Sequence, residues 1–157
     1  MTSLSQDIVN TLPSLRRYGR ALTGDRCTGD RYIHIALEIL SEEPWRIRPR
    51  HDVKYHLFKL FNDVLSVFEP GPSQGVDQED PYHRLRLGVL GLPLLSRKLL
   101  LLVMLEQFSV ARAAELLELP ERAAKIHLAD ARAQLRCLTA VLDNTDSFRT
   151  SHKRAVA

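Results

Sequence analysis

Apolar side chains recur every three or four positions over most of the chain, and each run ends on a residue that stops a helix. Ile8, Leu12, Leu15 and Leu22 mark one face of a first helix. Thr23-Gly24-Asp25 closes it, Gly24 being suited to the left-handed position after a helix C-terminus. A second helix is predicted from about Gly29 to Glu43, with Ile33, Ala36, Leu37 and Leu40 as its apolar stripe. Pro44 ends it, because proline restricts the residue before it and offers no N–H. After a basic loop from Trp45 to Arg50, Asp52 is a predicted N-cap for a third helix that runs to about Phe68. Here the one-face pattern breaks down: Val53, Tyr55, Leu57, Phe58, Leu60, Phe61, Val64, Leu65, Val67 and Phe68 cover more than one face. A small module cannot bury all of this alone, so part of it is expected to meet a partner.

Residues 69–84 are different in kind. Glu69-Pro70-Gly71-Pro72-Ser73-Gln74-Gly75 is turn and linker chemistry, and Asp77, Glu79 and Asp80 follow, giving the stretch a net charge of −3. It reads as a flexible acidic connector between a first module, 1–68, and a second, 85–142. In the second module Leu92-Pro93-Leu94-Leu95-Ser96 starts a helix, and the run Leu99 to Leu105 lies in a buried helix ending near Gln107, with Met104 in the core. Ser109 caps the next helix, which carries Ala113, Ala114, Leu116 and Leu117. Pro120 opens the last helix, whose stripe is Ala124, Leu128, Ala131, Leu135 and Leu138. Two short helices, a tight turn and a longer helix make a helix-turn-helix pattern. Residues 143–157 are polar and read as a tail or truncated linker. The predicted fold is all-α, in two small helical modules.

Composition narrows the class. The 157 residues are 45% hydrophobic and 26% charged with a net charge of +3, which excludes a disordered chain and leaves room for one domain or two very small ones. The longest apolar run has seven residues, far short of the ~20 that span a membrane. No apolar segment near the amino terminus resembles a signal peptide. Cys27 and Cys137 stand far apart, without metal-ligand spacing, and read as free thiols of a cytoplasmic protein. The six histidines are scattered, and no phosphate loop, Cys-x-x-Cys or nucleophile motif occurs, so neither enzyme chemistry, nor a cofactor, nor a metal is expected. The candidate recognition helix presents Glu121, Arg122, Lys125, His127, Asp130, Arg132 and Gln134, a mixed face rather than the basic stripe that phosphates favour.

Two blocks carry a family resemblance. The stretch Leu12-Pro13-Ser14-Leu15-Arg16-Arg17-Tyr18-Gly19-Arg20-Ala21-Leu22-Thr23-Gly24, followed by Gly29-Asp30-Arg31-Tyr32 and Leu37-Glu38, resembles the start of PhyR-type response regulators, the general stress response regulators of alphaproteobacteria. The run from Leu92 to Leu102, with Glu106-Gln107-Phe108-Ser109 and Ala113-Ala114, resembles the sigma-like region four of that family. The amino-terminal half of these regulators mimics an extracytoplasmic-function sigma factor of the EcfG type. Departures from working sigma factors point the same way. Gly29 to His34 replaces the polymerase-gripping stretch of region two, the third helix offers Lys54 and Lys59 but no cationic groove for melted DNA, and Ala123 to His127 with Asp130 replaces a more basic recognition helix.

The resemblance implies a partner switch. In the family a small anti-sigma factor, NepR, holds the true sigma factor inactive, and phosphorylation of the receiver domain frees the sigma-like domain to capture NepR. The expected partners are therefore NepR and, in a longer protein, the receiver domain; no DNA and no membrane are expected. The alternative is a genuine extracytoplasmic-function sigma factor that binds polymerase and promoter. A decoy keeps the helical surfaces that the anti-sigma factor grips, with apolar anchors at turn spacing. On that basis Leu57, Phe58, Phe61 and Leu65 of the third helix, Leu92 and Leu95 at the start of region four, and Arg16, Arg17 and Tyr18 of the first helix are the candidate partner-binding residues. Arg16, Arg17 and Arg20 form a basic cluster suited to the acids of a partner or of the receiver.

Overall fold

A computed structural model describes residues 4–47, 52–68 and 82–154. Among them are seven α-helices, one short 3-10 turn and no strand. Helices α1 (Leu4–Thr23), α2 (Arg26–Glu42) and α3 (Val53–Val67), with the 3-10 turn at Pro44–Arg46, form the first module. The second comprises α4 (His83–Leu90), α5 (Leu94–Met104), α6 (Val110–Leu116) and α7 (Glu121–Arg154).

The helix boundaries follow local chemistry. Gly24 sits at φ 77°, a left-handed conformation that costs glycine little. Asp25 then caps α2 at once, accepting from the Thr28 N–H at 2.7 Å and the Thr28 hydroxyl at 2.6 Å. The helix thus begins at Arg26, three residues earlier than the apolar stripe suggests. Gly29 is inside it for a packing reason: α1 and α2 cross there, and a Cβ on Gly29 would lie 3.0 Å from the Gly19 carbonyl carbon. Asp52 and Ser109 cap α3 and α6, accepting from the Tyr55 N–H at 3.1 Å and the Arg112 N–H at 3.2 Å. α5 stops at Met104, short of Gln107, which turns the chain at φ 60°. Residues 143–154 of the expected tail or linker are helical: α7 runs on to Arg154, over a stretch with no Gly or Pro to break it. Of the expected connector, residues 69–81 lie outside the described residues, whereas Tyr82 forms a turn and α4 begins at His83.

The two modules share one core. Leu15, Tyr18 and Leu22 of α1, Ile33 and Ala36 of α2, and Leu57, Phe58, Phe61 and Leu65 of α3 lie in the same apolar cluster as Leu99, Leu102, Ala113 and Leu116 of the second module. Within the first module α1 and α2 pack on α3; across the junction α1 meets α4 and α5, and α3 meets α6. Tyr18 packs its ring 5.2 Å from Phe58 and 5.7 Å from Phe61, and Phe58 meets Phe108 at 5.4 Å across the junction. The apolar excess of α3 is therefore consumed within the chain, and only Val67 and Phe68, at its far end, stay exposed. A smaller cluster of Leu92, Leu100, Leu128 and Ala131 holds α5 to α7.

Candidate partner-binding surface

Charged groups seal the junction of the modules. The Glu106 side chain, just after α5, is fully buried. Arg17 donates to both its oxygens, from Nε at 3.0 Å and from Nη2 at 3.1 Å. Lys54 donates to the Glu106 carbonyl at 2.9 Å and lies 3.4 Å from Oε2. Two cations of the first module thus hold one carboxylate of the second, the arrangement that a buried charge requires. The hydrogen bonds to Glu106 raise the Arg17 pKa, against the opposite pull of partial desolvation. Arg97 reaches the other way. Its Nη1 donates to the Leu22 carbonyl at 2.8 Å, and its Nη2 donates to the carbonyls of Leu90 and Leu92. These are oxygens at or near helix C-termini, where carbonyls lack intrahelical donors. Burial lowers the pKa of Arg97. It does the same to Lys98, partly offset by the charge of Asp63. On the rim, Arg112 pairs with Asp52 at 3.2 Å and lies 4.0 Å over the Tyr55 ring.

What stays open flanks α4. On one side an apolar groove of about 460 Å³ runs between α4, α5 and α7, lined by Leu85, Val89, Leu101, Met104, Leu105 and Leu135, with Arg132 and Arg136 at its edge. Leu85 is 47% and Met104 60% exposed, and Arg132 donates to the Met104 sulfur at 3.2 Å. On the other side a groove of about 690 Å³ runs between α1, α2 and α4, lined by Arg16, Arg17, Arg20, Arg26 and Arg86 with Asp30 and Tyr82. Tyr82 and Arg86 face one groove and Leu85 and Val89 the other, each pair one helical turn apart.

Against this surface the expected contact residues divide. Arg16 and Arg17 are exposed and line the arginine groove, and Leu95 is half-buried near the start of α5. Tyr18, Leu57, Phe58, Phe61, Leu65 and Leu92 are at most 2% exposed. They are core residues, out of a partner's reach while the modules stay together. The packing explains why: α6 covers the side of α3 that the first module leaves open, and Leu92 is enclosed by Leu100, Leu128 and Ala131. Tyr18 also donates to Asn62 Oδ1 at 3.1 Å, and burial raises its pKa. Met104, expected in the core, is exposed instead. Sequence reasoning missed Leu85, Leu105 and Leu135. Leu85 and Val89 stand at helical spacing, but the run Leu99 to Leu105 is apolar all round and shows no preferred side.

The first turns of α7 expose Glu121 and Lys125, which pair at 2.7 Å, so the candidate recognition helix keeps its mixed charge. Cys27 and Cys137 are exposed, unpaired thiols. No described helix is long and apolar enough to cross a membrane.

A family model described as the sigma2 domain of PhyR matches residues 8–62, and one described as sigma-70 region 4 matches residues 83–135. The phyllosphere-induced regulator PhyR of Methylorubrum extorquens is 37% identical over 117 residues, which cover 74% of this chain and 43% of the relative. The chain thus spans less than half the length of that curated relative. Among solved structures, a chain of the PhyRSL–NepR complex from Sphingomonas sp. Fr1 is 31% identical with a TM-score of 0.74, covering 88% of this chain and 90% of that one. The sigma factor RpoE of Bartonella quintana, solved in complex with the anti-sigma factor NepR, reaches a TM-score of 0.74 at 16% identity over 87% of this chain and 96% of that one, a likeness of fold alone.

Proposed function

The chain belongs to the PhyR family, matching its sigma-like part, and from that premise we propose that it is an anti-anti-sigma factor that captures a NepR-type anti-sigma factor. One observation carries this reading: the same fold occurs in a PhyR domain solved with NepR and in a sigma factor solved with NepR. A molecule that offers an anti-sigma factor the shape of a sigma factor competes for it by mass action and releases the sigma factor. The setting of this reading is the cytoplasm and the general stress response.

The apolar groove between α4, α5 and α7 is the proposed seat for an amphipathic helix of the captured protein. Its leucines and Met104 receive apolar side chains at turn spacing, and Arg132 and Arg136 meet carboxylates at the edge. Arg16 and Arg17 are the candidates from the sequence that remain on the outer surface.

The test presents the purified chain with a NepR protein and with core RNA polymerase side by side. Capture of NepR at micromolar affinity or tighter, at least ~8 kcal/mol, without polymerase binding is expected. Polymerase binding with promoter-dependent transcription would instead establish a working sigma factor. The double variant L85A/M104A should weaken NepR capture by roughly tenfold or more. Its thermal stability should change little, because both side chains are already half in water.

A further inference from the structure

The second groove beside α4 has a different chemistry. Among the described residues five guanidinium groups, those of Arg16, Arg17, Arg20, Arg26 and Arg86, line it together with one carboxylate, Asp30. That carboxylate is divided between Arg16 at 3.6 Å and Arg26 at 3.8 Å, both longer than a hydrogen bond. Arg17 is committed to Glu106 and Arg86 donates to the Gly24 carbonyl at 3.1 Å. Arg20 makes no ion pair among the described residues, and it stands on α1 one turn from Arg16. Self-repulsion of so many cations weakens the fold, and pairing with an incoming anion relieves it. Guanidinium groups hold carboxylates and phosphates by paired N–H donors, so the site favours an anion with several acceptor oxygens.

Shape and surroundings select among anions. The groove lies between three helices, α1, α2 and α4. The exposed start of α7 carries mixed charge rather than a basic stripe, with Glu121 paired to Lys125 beside Arg122. Across α4 lies the apolar groove, which a nucleic acid has nothing to fill. A polypeptide can supply apolar side chains to one flank of α4 and carboxylates to the other. We propose that the arginine groove docks a carboxylate-rich polypeptide segment, giving the captured protein a second foothold across α4 from its apolar helix. The proposal deepens the capture reading and rests on it for the identity of the partner.

The experiment uses the full chain and its R20E variant, since the Arg20 side chain is exposed and makes no ion pair among the described residues. Three probes are titrated by fluorescence anisotropy at two salt concentrations: a glutamate decapeptide, a DNA duplex of similar charge, and a Sphingomonas NepR protein. The wild-type chain is expected to bind the peptide in a salt-dependent manner, and R20E should weaken both peptide and NepR binding by about tenfold. Conservative replacement, R20K, should restore most of the loss. An R20E variant that keeps NepR affinity within about twofold overturns the proposal, and so does a duplex that displaces the peptide. Should the wild-type chain fail to bind NepR, the capture reading falls, and the peptide arm alone decides the groove: peptide binding lost in R20E supports it, and binding indifferent to R20E overturns it.

Discussion

The junction between the modules and the flanks of α4 are made from similar residues to opposite ends. Both combine leucines, aromatic or sulfur-bearing side chains and arginines. At the junction the largest apolar side chains, Tyr18, Phe58 and Phe61, are fully buried, and the buried carboxylate of Glu106 is met by two cations. Beside α4, by contrast, Leu85 and Met104 stay half in water, and among the described residues Arg16 and Arg26 share the carboxylate of Asp30. Completed pairing is the mark of an interior, whereas incomplete pairing of both kinds, apolar and ionic, marks a surface that something else completes.

The strongest way to break this contrast is to empty the sealed side. Phe58 is fully buried, with its ring packed against those of Tyr18 and Phe108. Truncation in Phe58→Ala should cost about 3–5 kcal/mol, much of the stability of a domain this size. Because its neighbours come from both modules, the loss should appear in both at once. Urea unfolding followed by Trp45 fluorescence, which reports on the first module, and by circular dichroism should give coincident transitions in the wild-type chain and in the variant. Separate midpoints would mean that the modules own separate cores.

A smaller cost is expected at Glu106. Glu106→Gln keeps the shape and removes the charge, leaving Arg17 and Lys54 half-exposed cations that water can still solvate. The variant should lose about 2 kcal/mol, less than the loss of a partner from a wholly buried pair. It should also speed amide exchange around Gln107 and Phe108, where the left-handed turn adjoins the anchored side chain. A variant as stable as the parent would show the junction to be held by its apolar contacts alone.

How far the sequence disclosed this contrast depends on the kind of signal. Helix ends were legible because their causes are local: Gly24, Asp52, Ser109 and Pro120 act within a few residues of themselves. The family blocks likewise located both modules. The α3 face was not legible, since Leu57, Phe58, Phe61 and Leu65 look the same whether a second module or a foreign chain covers them. Which one does so is decided by the packing of α6, a long-range fact. The opposite error befell Met104, whose place in an apolar run concealed that α5 ends beside an open groove. Arg16 and Arg17 were recognisable as a basic cluster, but the arginines that complete it, Arg26 and Arg86, come from other helices.

The finest expected effect concerns Tyr18. Burial raises its pKa, opposed by the Asn62 hydrogen bond and reinforced by the charge of Glu106. In the folded chain the hydroxyl therefore keeps its proton to higher pH than in the unfolded chain. Above the ordinary tyrosine value near 10, the unfolded state releases a proton that the folded state retains, so stability falls as pH rises past that point. Tyr55, raised by desolvation as well, adds to the same decline. At pH 7 Tyr18→Phe should cost about 1–2 kcal/mol, because Asn62 Oδ1 loses its donor inside the core. At pH 10.5 the gap to wild type should narrow, since the variant has no phenol to ionise on unfolding. Urea midpoints of both proteins at the two pH values measure this. A gap of equal size at both would mean that the hydroxyl is not shut away from solvent, and that the sealed side of the molecule is more open than its packing implies.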